Sequence, residues 1–303
     1  MTVLEGRSGT LPVGGADAPL GRPLLARDSV VVALLLVPCF AWIAFFFLLP
    51  LGMMVWRSLA GEAGSIAIYQ DILTAPLYHK VMATTLRTAV ATTVLALLLG
   101  YPVAYALTVS QPAVRGLMLL LVLVPYWVDI IVRSFSWMVM LGDNGIVNKA
   151  LVGLGLIPAP AQLLYTTLSV LLGMVQIMLP FAIVTLFGAM LRIDRTLMTA
   201  AKIHGATSWQ AFYAVFLPLS LPGVYGAGLL VFIMSLGFFV TPALLGSPKE
   251  TMIAQTIMVE ATQTLDWETA SAAGTLLLII TTIIAVIYNR YFSLDRLWGG
   301  SDQ

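Results

Sequence analysis

Apolar residues in this chain gather into six long stretches, each bounded by short polar segments. About 20 predominantly apolar residues cross the roughly 30 Å hydrocarbon layer of a bilayer as a helix. Residues 30–55, 88–109, 116–140, 165–191, 222–245 and 271–289 all approach or exceed that length. The third is interrupted by two charges, Asp129 and Arg133. The pattern predicts an all-α, polytopic membrane protein with six transmembrane helices. It divides into a disordered tail at 1–28, a first transmembrane helix at 29–56 and an external loop at 57–81. A core of five further helices follows at 82–292, with a long loop at 192–222, and then a tail at 293–303.

Composition agrees and removes several classes. Of 303 residues, 60% are hydrophobic and 10% charged, with a mean hydropathy of +0.97. A soluble domain carries about 25% charged residues, so this chain has too few to cover a globular surface. A net charge of +1 supplies no basic field for nucleic acid. The one cysteine, Cys39, excludes an internal disulfide framework and is expected to be a buried structural thiol. With His79 and His204 as the only histidines, no Cys/His metal cluster can be assembled, and no metal or cofactor is expected. Residues 1–27 are rich in Gly, Pro and Ala. A secretory signal has an early, short apolar core, whereas here the apolar run starts late and is long, which predicts an uncleaved first helix.

Lys and Arg placement sets the orientation, because cytoplasmic loops retain positive charge. With the N-terminus inside, the cytoplasmic segments hold Arg7, Arg22, Arg27, Arg115, Arg192, Arg195, Lys202, Arg290 and Arg296. The external ones hold only Arg57, Lys80, Lys149 and Lys249. Both termini are therefore expected in the cytoplasm.

The loop between the fourth and fifth stretches is too apolar to be left in water. Thr196 to Ile203 reads as a short helix with Leu197, Ala200 and Ala201 on one face, and Gly205 permits the φ > 0 geometry that ends such a helix. A second helical piece, Ser208 to Phe216, is expected to stop at Leu217-Pro218, with Pro222 starting the next span. An exposed face of small and apolar residues marks a docking surface.

Ala200-Ala201, Gly205-Ala206, Phe212, Leu217-Pro218 and the following Pro222 resemble the "EAA" loop of type I ABC import permeases. In that family the loop's short helix lies in a groove on a separate ATPase subunit. Two positions depart from the pattern: Thr199 stands where it has Glu, and His204 where an acidic or apolar residue is commoner. The resemblance covers residues 82–292 and narrows to one branch. Pro125-Tyr126-Trp127, Ile131 through Trp137, Asn144 through Asn148, Phe239 through Lys249 and Asp266-Trp267 are similar to spermidine/putrescine permeases. Relatives of that branch import other small solutes, such as opines, amino-acid derivatives or quaternary amines. The resemblance implies the type I ABC importer permease fold and a coupling loop at Thr199, Ala200, Ala201, His204, Gly205, Ala206, Leu217 and Pro218. It also implies four partners: two ATP-binding subunits, a second homologous permease subunit and a periplasmic solute-binding protein.

The charges in the third stretch carry the candidate chemistry. Asp129 and Arg133 are four residues apart, on one helical face and able to pair. Asp129 lies about 21 Å along a helix counted from Arg115, in the outer half of the bilayer. Two readings stand: a buried pair that locks the span to its neighbours, or a solute path in which Asp129 offers its carboxylate to a cation. Tyr126, Trp127, Phe135 and Trp137 either cage an ammonium group or anchor the chain at the interface. Glu260, with Asp266 and Glu268, lies on the last external segment, facing either a docked binding protein or solvent.

No G-x-x-x-x-G-K-[ST] phosphate loop, H-E-x-x-H or G-x-S-x-G motif is present, so nucleotide chemistry is assigned to another chain. A stand-alone secondary transporter would need inverted repeats and its own coupling ions. It would have no use for a docking loop.

Overall fold

The structure is a computed structural model in which residues 36–60 and 65–292 are described; the two expected tails lie outside them. The chain divides into two compact units, Met1–Met53 and Met54–Gln303. The described part of the first unit is helical from Leu36 and contains a π turn at Ala44–Leu48. No residue in it is buried. The helix, α1, runs over Leu36–Ala60. Cys39 is exposed on it, contrary to the expected buried thiol. A helix that is apolar all round is a membrane span, and there a small apolar thiol can face lipid instead of protein.

In the second unit, α2 spans Ser65–Thr74 and α3 spans Pro76–Val109, 34 residues opened by a proline at N1/N2. α3 therefore starts well before residue 88 and takes up part of the expected external loop. The third apolar stretch is not one helix. It is α4, Pro112–Leu123, a 3₁₀ turn at Val124–Trp127, and α5, Ile130–Leu141, followed by α6, Ile146–Gly153. α7 covers Thr167–Met190 and α8 covers Thr196–Ile203. α9 runs without a stop over Ser208–Leu236. α10 (Val240–Leu245), α11 (Ile253–Val259) and α12 (Trp267–Phe292) complete the described chain. Six stretches are long and apolar enough to cross a membrane: α1, α3, residues 130–153, α7, α9 and most of α12.

The core follows from two four-residue stripes. On α7, Val170, Met174, Met178, Ala182, Leu186 and Met190 are buried at i, i+4 spacing. On α3 the matching stripe is small: Thr92, Ala96, Gly100, Ala104 and Thr108. Within a bilayer, small residues let helices approach closely enough for dispersion and hydrogen bonding to replace the missing hydrophobic drive. α9 closes the layer, with Val231 beside Ala96, Met178 and Ala182 and Ala227 beside Ala104 and Leu186. A Cβ placed on Gly173 would stand 2.5 Å from Thr241 Cγ2, so only glycine lets α10 seat against α7.

Side-chain hydroxyls join elements in the buried interior. Thr85 Oγ1 accepts from the Ile253 amide at 2.8 Å, and Ser169 Oγ donates to the Leu245 carbonyl at 2.8 Å. Arg115 Nε donates to the Leu107 carbonyl at 2.9 Å and Nη2 to Ser110 at 3.1 Å, satisfying carbonyls at the C-terminus of α3.

Candidate functional site

Two places carry the residues singled out by the sequence. The first is the 192–216 segment at the end of the bundle where α3 and α7 finish. Asp194 Oδ1 accepts from the Thr196 amide at 2.9 Å and opens α8, and these hydrogen bonds hold the Asp194 carboxyl below its usual range. α8 has the expected bounds. Met198 packs inward with Ile193 against Phe216, Leu186 and Met190, while Leu197, Thr199, Ala200, Ile203 and His204 are exposed. The apolar side offered outward is therefore Leu197, Ala200 and Ile203, whereas Ala201 is half-buried.

Gly205 follows at φ +91° with open space beyond its Cα. This is the left-handed conformation that glycine adopts without a Cβ penalty. Ala206 closes the turn by donating its amide to the Ala201 carbonyl at 3.1 Å. Thr207 then caps α9 reciprocally with Gln210.

Leu217-Pro218 does not stop this helix. Residues 212–216 form a π turn, and the Leu217 amide donates to the Phe212 carbonyl five residues back. Pro218 has no N–H for the carbonyl four residues before it. The widened turn carries the backbone past that deficit, so the span begins at Ser208 rather than at Pro222. It ends at Leu236, short of the expected 245.

Sequence reading missed the aromatic stack around this turn. Phe212 meets Tyr105 at 5.1 Å and Trp209 at 5.9 Å between ring centroids. Tyr105 meets Phe216 at 5.0 Å, and Tyr101 Oη lies 2.8 Å from Ser220 Oγ. The segment is thus tied to α3 as well as to its own span. The sequence signal for it was the helical spacing of Trp209, Phe212, Tyr213 and Phe216.

The second place is the break between α4 and α5. Ile130 packs on Ala96, Ile177, Met178, Ala182 and Val231. Ile177 lies ten residues, about 15 Å, into the 24-residue α7, so the break sits level with the middle of that span. Asp129 is the N-cap of α5: its Oδ1 accepts from the amides of Ile131 at 2.8 Å and Val132 at 3.4 Å. Counting helical turns through this point from Arg115 therefore fails.

No ion pair joins Asp129 to Arg133 among the described residues, although the two are four apart. Arg133 is 9% exposed, and its Nε and Nη1 are buried without a hydrogen-bond partner. The aromatics are not gathered into a cage. Tyr126 meets Phe181 at 5.4 Å, and Trp137 Nε1 donates to Gln176 Oε1 at 3.0 Å. Trp127 is 85% exposed and Phe135 is exposed. Irregular backbone at membrane depth is tolerated only against protein or a water-filled cavity. The exposed run 126–129 therefore needs such a cover.

Glu260 opens a π turn, Glu260–Thr264, and its Oε2 accepts from Thr264 Oγ1 at 2.7 Å. Leu265, at φ +58°, separates it from Asp266 and Glu268, so the three acids do not share one helix. Among the described residues no group of His, Cys, Asp and Glu can hold a metal ion.

The chain is similar to the spermidine/putrescine transport system permease protein PotB of Haemophilus influenzae, with 32% identity over 259 residues, 83% of this chain and 90% of that protein. The PotB of Escherichia coli K12 is 33% identical over 71% of this chain and 78% of its own length. Among solved structures, a bacterial ABC transporter involved in import of the acidic polysaccharide alginate superposes with a TM-score of 0.69 at 20% identity, covering 88% of this chain and 96% of that one. The family described as "Binding-protein-dependent transport system inner membrane component" matches residues 93–295. The match takes in the α4–α5 break, α8 and the Gly205 elbow together, and the chain belongs to that family of multi-pass inner-membrane permeases.

Proposed function

We propose that this chain forms half of the translocation pathway of an ATP-driven importer and that its solute is a polyamine of the spermidine/putrescine kind. A second homologous permease subunit supplies the other half. Two ATP-binding subunits sit on the cytoplasmic side, and a periplasmic solute-binding protein delivers cargo from the other. The observation that carries the mechanical part is the exposed side of α8, hung between Asp194 and the Gly205 elbow. It presents an exposed apolar surface and is linked through the Phe212–Phe216 turn to a membrane span. The solute class rests on the PotB relatives.

In this reading nucleotide-driven closure of the ATP-binding subunits displaces α8. The aromatic stack passes the displacement to α3 and α9, and the bundle opens to the outside. Exposed Asp129 and Trp127, at the level of the bilayer centre, line the water-filled path between the two permeases. There the second carboxylate oxygen of Asp129 meets an ammonium group.

The test is uptake of radiolabelled putrescine and spermidine by proteoliposomes holding the four components. Uptake that requires ATP, the binding protein and this chain is expected. Transport by this chain alone, without a nucleotide-hydrolysing companion, would overturn the reading. A thermal-shift ligand screen on the binding protein tests the solute class, and a shift with amines is expected.

A further inference from the structure

At the end of the bundle opposite α8, two lysines from distant parts of the chain line one cavity. Lys80 lies in the first turns of α3, whose far end carries Tyr105 against Phe212. Lys249 lies beside Glu250, which accepts from Thr167 Oγ1 at the start of α7 at 3.1 Å. The cavity holds about 240 Å³; Thr84, Thr251, Thr256 and Glu260 share its lining with the lysines.

Both lysines are exposed. Among the described residues neither ammonium group forms a hydrogen bond or an ion pair. The neighbouring carboxylates already have donors. Glu260 is held by Thr264, Glu250 by the Ser247 amide at 3.0 Å and by Thr167, and Asp266 by the Thr269 amide at 3.0 Å. Two ammonium groups, each with three unspent donors, thus line one recess with a single carboxylate, Glu260, while the threonine hydroxyls of its wall donate to the Lys80, Pro248 and Met252 carbonyls. With two ammonium groups against one carboxylate, the recess is net positive and favours an anion over a polyamine.

We propose that this recess is the socket for an acidic side chain of the solute-binding protein, anchoring it beside the path without competing for its cationic cargo. The proposal rests on the importer reading given above, which places that protein on this face. Glu260 makes the socket selective: with one negative charge already present, it accepts a single carboxylate rather than a polyanionic surface. Charge pairs of this type steer association and weaken as salt rises.

The test uses the assembled transporter in nanodiscs of zwitterionic lipid and reads ATP hydrolysis against the concentration of loaded binding protein. For the double variant Lys80→Gln/Lys249→Gln, basal hydrolysis is expected to be unchanged. The binding-protein concentration for half-maximal stimulation should rise about tenfold, with a flatter salt dependence. Glu260→Gln should lower that concentration. An unchanged half-maximal concentration in the double variant overturns the proposal. So does an effect that appears only when anionic lipid is added, which would make the recess a headgroup site. Absence of basal hydrolysis in the unaltered complex would instead sink the importer reading on which the socket depends.

Discussion

Gly205 is the residue on which the proposed handle turns, because its φ of +91° costs a β-branched side chain about 1–2 kcal/mol. In Gly205→Val, the amount of protein in the membrane should be unchanged while ATP-dependent uptake is lost. Normal uptake would detach the elbow from coupling. Arg133 poses the opposite problem. A guanidinium cannot shed its charge, and two of its nitrogens lie buried without acceptors. Arg133→Met in the purified chain is therefore expected to leave the thermal midpoint unchanged or raise it, since no pair is broken. A fall of several degrees would show that the charge is compensated. The four-residue spacing of Asp129 and Arg133 suggested a pair, but a spacing rule holds only inside a continuous helix. Asp129 instead spends its carboxylate on the amides that start one. An acid followed by a β-branched run, Ile130 through Val132, was the available sign of a cap.

At the scale of elements, hydrophobic length found five of the six candidate spans among the described residues but not their edges, and it read the third, which is broken at 124–129 and runs over 130–153, as one helix over 116–140. α3 reaches back to Pro76 because Pro at a first turn is neutral to helix formation, a signal present in the sequence and passed over. α9 crosses Pro218 because a π turn absorbs it, which composition does not announce. The α10 seat against α7 is a close fit. Gly173→Ala should cost about 1–3 kcal/mol by forcing Thr241 and Leu245 aside, read as a lowered melting temperature in detergent. The Ser247–Thr251 turn depends on the Glu250 carboxylate. Partial burial pushes that group up, but the Ser247 and Thr167 donors outweigh it and hold it below the usual range. Its contribution is therefore present above about pH 4.3, the ordinary glutamate value, and is lost as pH falls through the lower folded value. Amide exchange at 247–251 should stay slow from pH 7 down to that window. In Glu250→Gln, exchange is expected to be faster at neutral pH.

At the scale of the whole molecule, the apolar exterior makes lipid the solvent, and the loop chemistry makes the two ends of the bundle different. One end carries Arg115, Arg192, Arg195 and Lys202; the other carries the Lys80–Lys249 recess among capped acids. Ile203 is 80% exposed at the end of α8. With Cys39 replaced by serine, a cysteine at 203 is expected to react with an impermeant maleimide only in inside-out vesicles; labelling from outside would invert the topology. Charge counting could propose that sidedness, while the break between α4 and α5 was invisible to it, since apolar residues continue through the interruption. That break also bears on the life of a single copy in the cell. A lone subunit must hold the bare strand of peptide around Trp127 and Asp129 against hydrocarbon, an arrangement that lipid cannot solvate. Solitary copies should consequently be short-lived and cleared by membrane proteases, and a pulse-chase without the companion permease should show a shorter half-life. Subunit ratios would then be fixed by survival as well as by synthesis.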